Sequence, residues 1–110
     1  MKEQTLELIR QQVTENPVVI YMKGTPQFPM CGFSSRAAQA LAATGLPFAA
    51  VNIFDDENIY NFLPFYQDWP TFPQIYVGGE LIGGCDITLE LYESGELKDL
   101  MQKAIDEAAK

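Results

Sequence analysis

Val18-Val19-Ile20-Tyr21-Met22 is the stretch that most constrains the fold. It is apolar at every position and rich in β-branched side chains, so it reads as a strand covered on both faces. Burying such a strand takes helices above and below a sheet, and the flanking sequence supplies them. Before it, Leu6, Ile9 and Val13 recur at helical spacing, ended by Asn16-Pro17. After it, Ser34 to Thr44 reads as helix, with Ala37, Ala38 and Leu41 inward and Gly45 as the stop. Phe48 to Phe54 suggests a second strand. Asp55 and Asp56 then place negative charge at a helix start, followed by Ile59, Phe62, Leu63 and Tyr66, with Pro64 shortening or kinking that helix. Gln74-Ile75-Tyr76-Val77 and Glu80-Leu81-Ile82 flank Gly78-Gly79, a tight-hairpin signal. Gly83-Gly84 leads into a helix for which Asp86 is a candidate N-cap. Leu97, Leu100, Met101, Ala104 and Ile105 stripe the last helix. The order α-β-α-β-α-β-β-α-α predicts a single α/β domain over residues 1–110, with a small mixed sheet between helices. Trp69 and the many Phe and Tyr are assigned to the core.

Composition removes whole classes of function. The net charge of −8 argues against nucleic acid, whose phosphates call for clustered Lys and Arg, and against docking on anionic lipid. No run approaches the ~18 apolar residues of a membrane span, and the first residues are charged on both signs without an apolar signal core. The expected location is the cytosol, or a mature matrix form. The chain has no histidine, which excludes Ser-His and Cys-His catalysis and every histidine-containing zinc site. Its two cysteines cannot complete a four-thiolate metal site, so a soft metal would need ligands from another chain or a small thiol. A reducing compartment argues against a structural disulfide between them.

Cys31 carries the chemistry. It follows the Lys23–Met30 loop and opens a helix, where unpaired backbone N–H groups and the helix dipole favour a thiolate. Lys23, brought back by the strand–loop–helix path, adds a cation, and both effects lower a thiol pKa from its usual value of about 8.5. Ser34 stands where a redox dithiol has its second cysteine, so it cannot act as a resolving thiol. Cys85 either does no chemistry or lies beside backbone that Gly83-Gly84 leave open to a ligand. Asp86 could cap a helix, bind a ligand amine, or do both. Pro73 belongs at the first position of a strand or in a turn.

Taken together, Cys31-Gly32-Phe33-Ser34, Trp69-Pro70-Thr71-Phe72-Pro73-Gln74 and Gly83-Gly84-Cys85-Asp86 resemble the single-domain monothiol glutaredoxins of the CGFS type. The likeness runs essentially the whole length and includes Lys23-Gly24-Thr25-Pro26. It implies a thioredoxin-like fold, a four-stranded mixed sheet flanked by helices, with Phe72–Pro73 cis. It also implies a glutathione groove, and a 2Fe–2S cluster held between two subunits by one cysteine and one glutathione thiol from each. Carried over by motif, Lys23 would pair with a glutathione carboxylate. The backbone of Phe72 would hold the cysteinyl part, the Cys85 backbone with the Asp86 carboxylate the γ-glutamyl end, and Thr71 would join the glutathione-binding set. Many relatives have an arginine at the position of Tyr60, which offers a hydroxyl but no charge. The function this implies is cluster carriage by a homodimer to iron–sulfur apoproteins, with BolA-like proteins as further partners. The alternatives are a weak glutathione-dependent thiol–disulfide oxidoreductase acting through Cys31, or a binding module whose groove docks proteins without chemistry.

Overall fold

The structure is a computed structural model describing residues 1–110. Helix α1 (Lys2–Glu15) leads into β1 (Val18–Met22), α2 (Gly32–Ala43) and β2 (Ala49–Asn52). Then come α3 (Glu57–Phe62), β3 (Gln74–Val77), β4 (Glu80–Gly83), α4 (Cys85–Ser94) and α5 (Glu96–Ala108). The four strands lie in the order β2-β1-β3-β4. β1 runs parallel to β2, with Ile20 opposite Ala50, and antiparallel to β3, with Ile20 opposite Ile75. β3 and β4 form the hairpin around Gly78 and Gly79, whose φ values of 62° and 82° are the left-handed ones such a turn needs.

Every residue of β1 is buried, and the period-2 pleat explains how. Val18, Ile20 and Met22 face one core with Ile75, Leu41 of α2, and Leu97 and Met101 of α5. Val19 and Tyr21 face a second core with Tyr76, Ile9 and Val13 of α1, Ile59 of α3, and Leu63. The unbroken apolar run is thus the signature of a strand with helices on both sides.

Several boundaries differ from the sequence expectation. The second strand stops at Asn52 because that side chain accepts the Phe54 N–H (3.0 Å) and starts a 3-10 turn over Ile53–Asp55. The start of α3 agrees with the sequence: Asp56 caps it, accepting the N–H groups of Asn58 and Ile59. α3 ends at Phe62, and Pro64 lies in the 3-10 turn that follows. Helix α4 starts at Cys85 with Gly84 as its N-cap, so Asp86 sits inside the first turn and caps nothing. Leu100 is exposed despite its place in the α5 stripe. The assignment of the aromatics to the core also fails in part: Phe28, Phe33, Phe54 and Phe65 are exposed, as are Tyr60 and Tyr92. No helix is long and apolar enough to cross a membrane.

Candidate functional site

The path from β1 to α2 sets the site. Beyond Met22 the chain makes a closed loop, with Met30 N–H donating to the Lys23 carbonyl (2.9 Å) and Gly24 bridging Pro29. Gly24 has φ +92°, and a Cβ there would lie 2.5 Å from the Phe28 carbonyl oxygen, so the closure admits only glycine. The Asn52 side chain accepts the Gly24 N–H (3.1 Å), tying the loop to the end of β2. This closure delivers Cys31 to the N-cap position of α2 with extended backbone, φ −155° and ψ 135°.

The Cys31 thiol is held below its ordinary pKa. The largest cause is the Ser34 backbone N–H at the start of α2; the Phe33 N–H, the Ser34 hydroxyl and the Lys23 charge act the same way, and partial burial opposes them. Ser34 is fully buried, and its hydroxyl oxygen accepts the Lys23 N–H (3.1 Å). That leaves the hydroxyl hydrogen to donate to the Cys31 sulfur. The residue in the resolving position therefore stabilises the thiolate and ties β1 to α2.

Across from α2 lies the segment before β3. Gln74 is buried and forms its anchor: Nε2 donates to the Trp69 carbonyl (2.8 Å) and the Thr71 carbonyl (3.3 Å), while Oε1 accepts the Tyr76 hydroxyl (2.8 Å). The Phe72–Pro73 bond is cis, and the Phe72 N–H and C=O form no hydrogen bond within the chain. Tyr60 is stacked between Phe54 (6.1 Å between centroids) and Phe72 (5.8 Å).

These elements enclose one groove of about 670 Å³. Lys23, Cys31, Thr71, Phe72, Cys85 and Asp86 all line it, and so does Tyr60. The structure thus brings together the six residues given a catalytic or binding role in the sequence analysis. Gly84 lines the groove, and both glycines also make room for packing: a Cβ on Gly83 would meet Ile87 at 3.1 Å, and one on Gly84 the Pro73 carbonyl at 3.2 Å. Trp69 lines the groove too, and its Nε1 is the chain's single buried side-chain polar atom without a hydrogen-bond partner. The sequence reading missed Gln74, Asn52 and the role of Ser34, because each works through hydrogen bonds to residues distant in sequence.

The two cysteines are free thiols with opposite character. Burial pushes the Cys85 thiol up, partly offset by the Arg36 guanidinium nearby. The chain contains no group of three or more Cys, Asp or Glu side chains able to hold a metal ion by themselves.

The glutaredoxin family profile matches residues 18–82. Glutaredoxin 4 of Escherichia coli K12 is 54% identical over 99 residues, which cover 90% of this chain and 86% of that protein. Glutaredoxin 4 of Haemophilus influenzae (strain 86-028NP) is 54% identical over 98 residues, covering 89% and 92%. Among solved structures, reduced poplar apo GrxS14 superposes with a TM-score of 0.75 at 48% identity, over 94% of this chain and 92% of that one. A buckwheat glutaredoxin–glutathione complex superposes with a TM-score of 0.82 at 24% identity over the same shares, a likeness of fold. With a thioredoxin-like sheet, one cysteine at the N-cap position of α2 and serine in the resolving position, this chain belongs to the glutaredoxin family as a monothiol member.

Proposed function

We propose that the protein carries a 2Fe–2S cluster as cargo between two copies of itself and delivers it to iron–sulfur apoproteins. Each copy supplies the Cys31 thiolate, and each bound glutathione supplies a second. One observation carries this reading: the groove offers a single half-buried thiol of lowered pKa, with Ser34 in the resolving position and the Cys85 thiol buried and pushed up. Two such chains with two tripeptide thiols make the four thiolates such a cluster needs. The donor set fits a glutathione whose sulfur meets Cys31. Lys23 offers a cation to a carboxylate, the unpaired Phe72 backbone offers a strand-like partner to the cysteinyl unit, and Asp86, free of any capping bond, offers an anion to the ammonium. Thr71 and the Cys85 backbone complete the set. The buckwheat glutaredoxin solved with glutathione supports this reading by its fold. BolA-like proteins are further candidate partners, and the cytosol is the proposed location.

The test is anaerobic reconstitution with iron, sulfide and glutathione, followed by visible absorption and circular dichroism. The expected result is a coloured dimer from the wild type and from Cys85→Ser, and none from Cys31→Ser. A Cys31→Ser protein with the same chromophore would refute the assigned ligand.

The depressed Cys31 pKa also favours a second reading, glutathione-dependent reduction of glutathionylated proteins. Cys31 thiolate would attack the mixed disulfide, take up the glutathionyl group and release the protein thiol. A second glutathione would then regenerate Cys31 and leave as glutathione disulfide. Robust turnover coupled to glutathione reductase would favour this reading over the first.

A further inference from the structure

Arg36 has no place in the site as described, yet its surroundings single it out. It sits in the first turns of α2, five residues beyond Cys31, and its guanidinium lies 5.1 Å from the centre of the Phe33 ring. Phe33 lines the groove, as do Cys85 and Asp86. α2 packs against α4, and the guanidinium is near enough to the Cys85 thiol to oppose the upward push of burial on its pKa. Its charge has no carboxylate partner: the chain's one ion pair joins Arg10 to Glu7. Asp86, on the neighbouring helix, is equally unpaired and caps nothing. A cation and an anion, neither in an ion pair, therefore both act on Cys85.

Such a pair matches a zwitterion. The free amino-acid head of a γ-glutamyl group carries an ammonium and a carboxylate on one carbon, and so needs both signs at adjacent points. An acid alone would serve only half of it. The planar guanidinium fork fits a carboxylate in two-point fashion, and stacking on Phe33 preorganises it. The first-turn N–H groups of α4 favour the same anion. We infer that Arg36 is a further binding residue of the groove, meeting the α-carboxylate of the γ-glutamyl head while Asp86 takes the ammonium. This rests on the glutathione reading above and adds to it a residue and the ligand group that residue selects.

The experiment uses the full-length reduced apoprotein and the fluorescence of Trp69, the chain's single tryptophan, which lies in the groove wall. Three probes are titrated into wild type and Arg36→Gln: glutathione, γ-aminobutyryl-cysteinylglycine, which lacks the γ-glutamyl α-carboxylate, and glutathione amidated at its glycyl carboxylate. Arg36 is exposed, so the variant should keep its thermal midpoint, and circular dichroism checks this. Arg36→Gln is expected to bind glutathione about fivefold more weakly, the scale of one exposed charge pair. The same loss is expected for the amidated probe, and none for the probe without the α-carboxylate. Equal glutathione affinity in wild type and variant would overturn the assignment. A loss that persists with the decarboxylated probe, or vanishes with the amidated one, would overturn it as well. If wild type binds none of the probes, the glutathione reading itself falls, and this inference with it; calorimetry confirms that outcome independently of fluorescence.

Discussion

At Cys31 a helix start does more than a nearby cation to make a thiolate. Lys23 is the salient charge in the sequence, but the Ser34 N–H makes the largest contribution and Lys23 the smallest of the favourable ones. The physical reason is distance and direction: amides at a helix N-terminus point at the capping side chain, whereas a lysine charge is screened by water. A lowered thiol pKa means the anion persists to lower pH than for an ordinary cysteine. Alkylation of Cys31 by iodoacetamide should therefore titrate with a midpoint below that of an ordinary cysteine, while Cys85, pushed the other way, should react only at higher pH and slowly. Ser34→Ala should move the Cys31 midpoint upward by removing the hydroxyl donor, with the backbone contribution left intact. Mass-spectrometric alkylation profiles against pH read both sites at once, and equal midpoints for the two cysteines would contradict this account.

Between residue and domain, the groove is built by short segments clamped to the sheet. The segment before β3 depends on Gln74, whose side chain satisfies two carbonyls and one hydroxyl inside the protein. Replacing it with methionine keeps the volume and leaves those groups without partners. Gln74→Met should cost about 2 kcal/mol of stability and weaken glutathione binding, as read by denaturant unfolding and by titration. An unchanged unfolding midpoint would show that the clamp is not needed. The sequence carried no local sign of this: a glutamine after Phe72-Pro73 looks like any strand-opening polar residue. The elements themselves were far more legible. α1, β1, α2 and the hairpin follow from periodicity and from Gly78-Gly79, because those signals are local. The misplaced end of β2 lies where a side chain reaches back to the backbone, as Asn52 does there. The exposed aromatics were misjudged because composition says how many rings a chain has, not which face they take.

For the whole molecule, the decisive quantity is the number of sulfurs per chain. The topology puts the first turns of α2 and α4 and the segment before β3 at one end of the sheet, so all six sequence-chosen groove residues meet there. The presence of a groove end was legible in the motif spacing, but its charge balance was not. Arg36 and Asp86 are brought to the same end of the molecule only when α2 packs on α4. A chain of net charge −8 repels a second copy of itself, and a shared cluster at the groove would offset that repulsion. The direct test is native mass spectrometry of the anaerobically loaded protein, which weighs the whole assembly. The account predicts two chains with two irons, two sulfides and two glutathiones, falling to bare monomer when glutathione is omitted or Cys31 is replaced. A loaded species that carries iron and sulfide without any glutathione would contradict it.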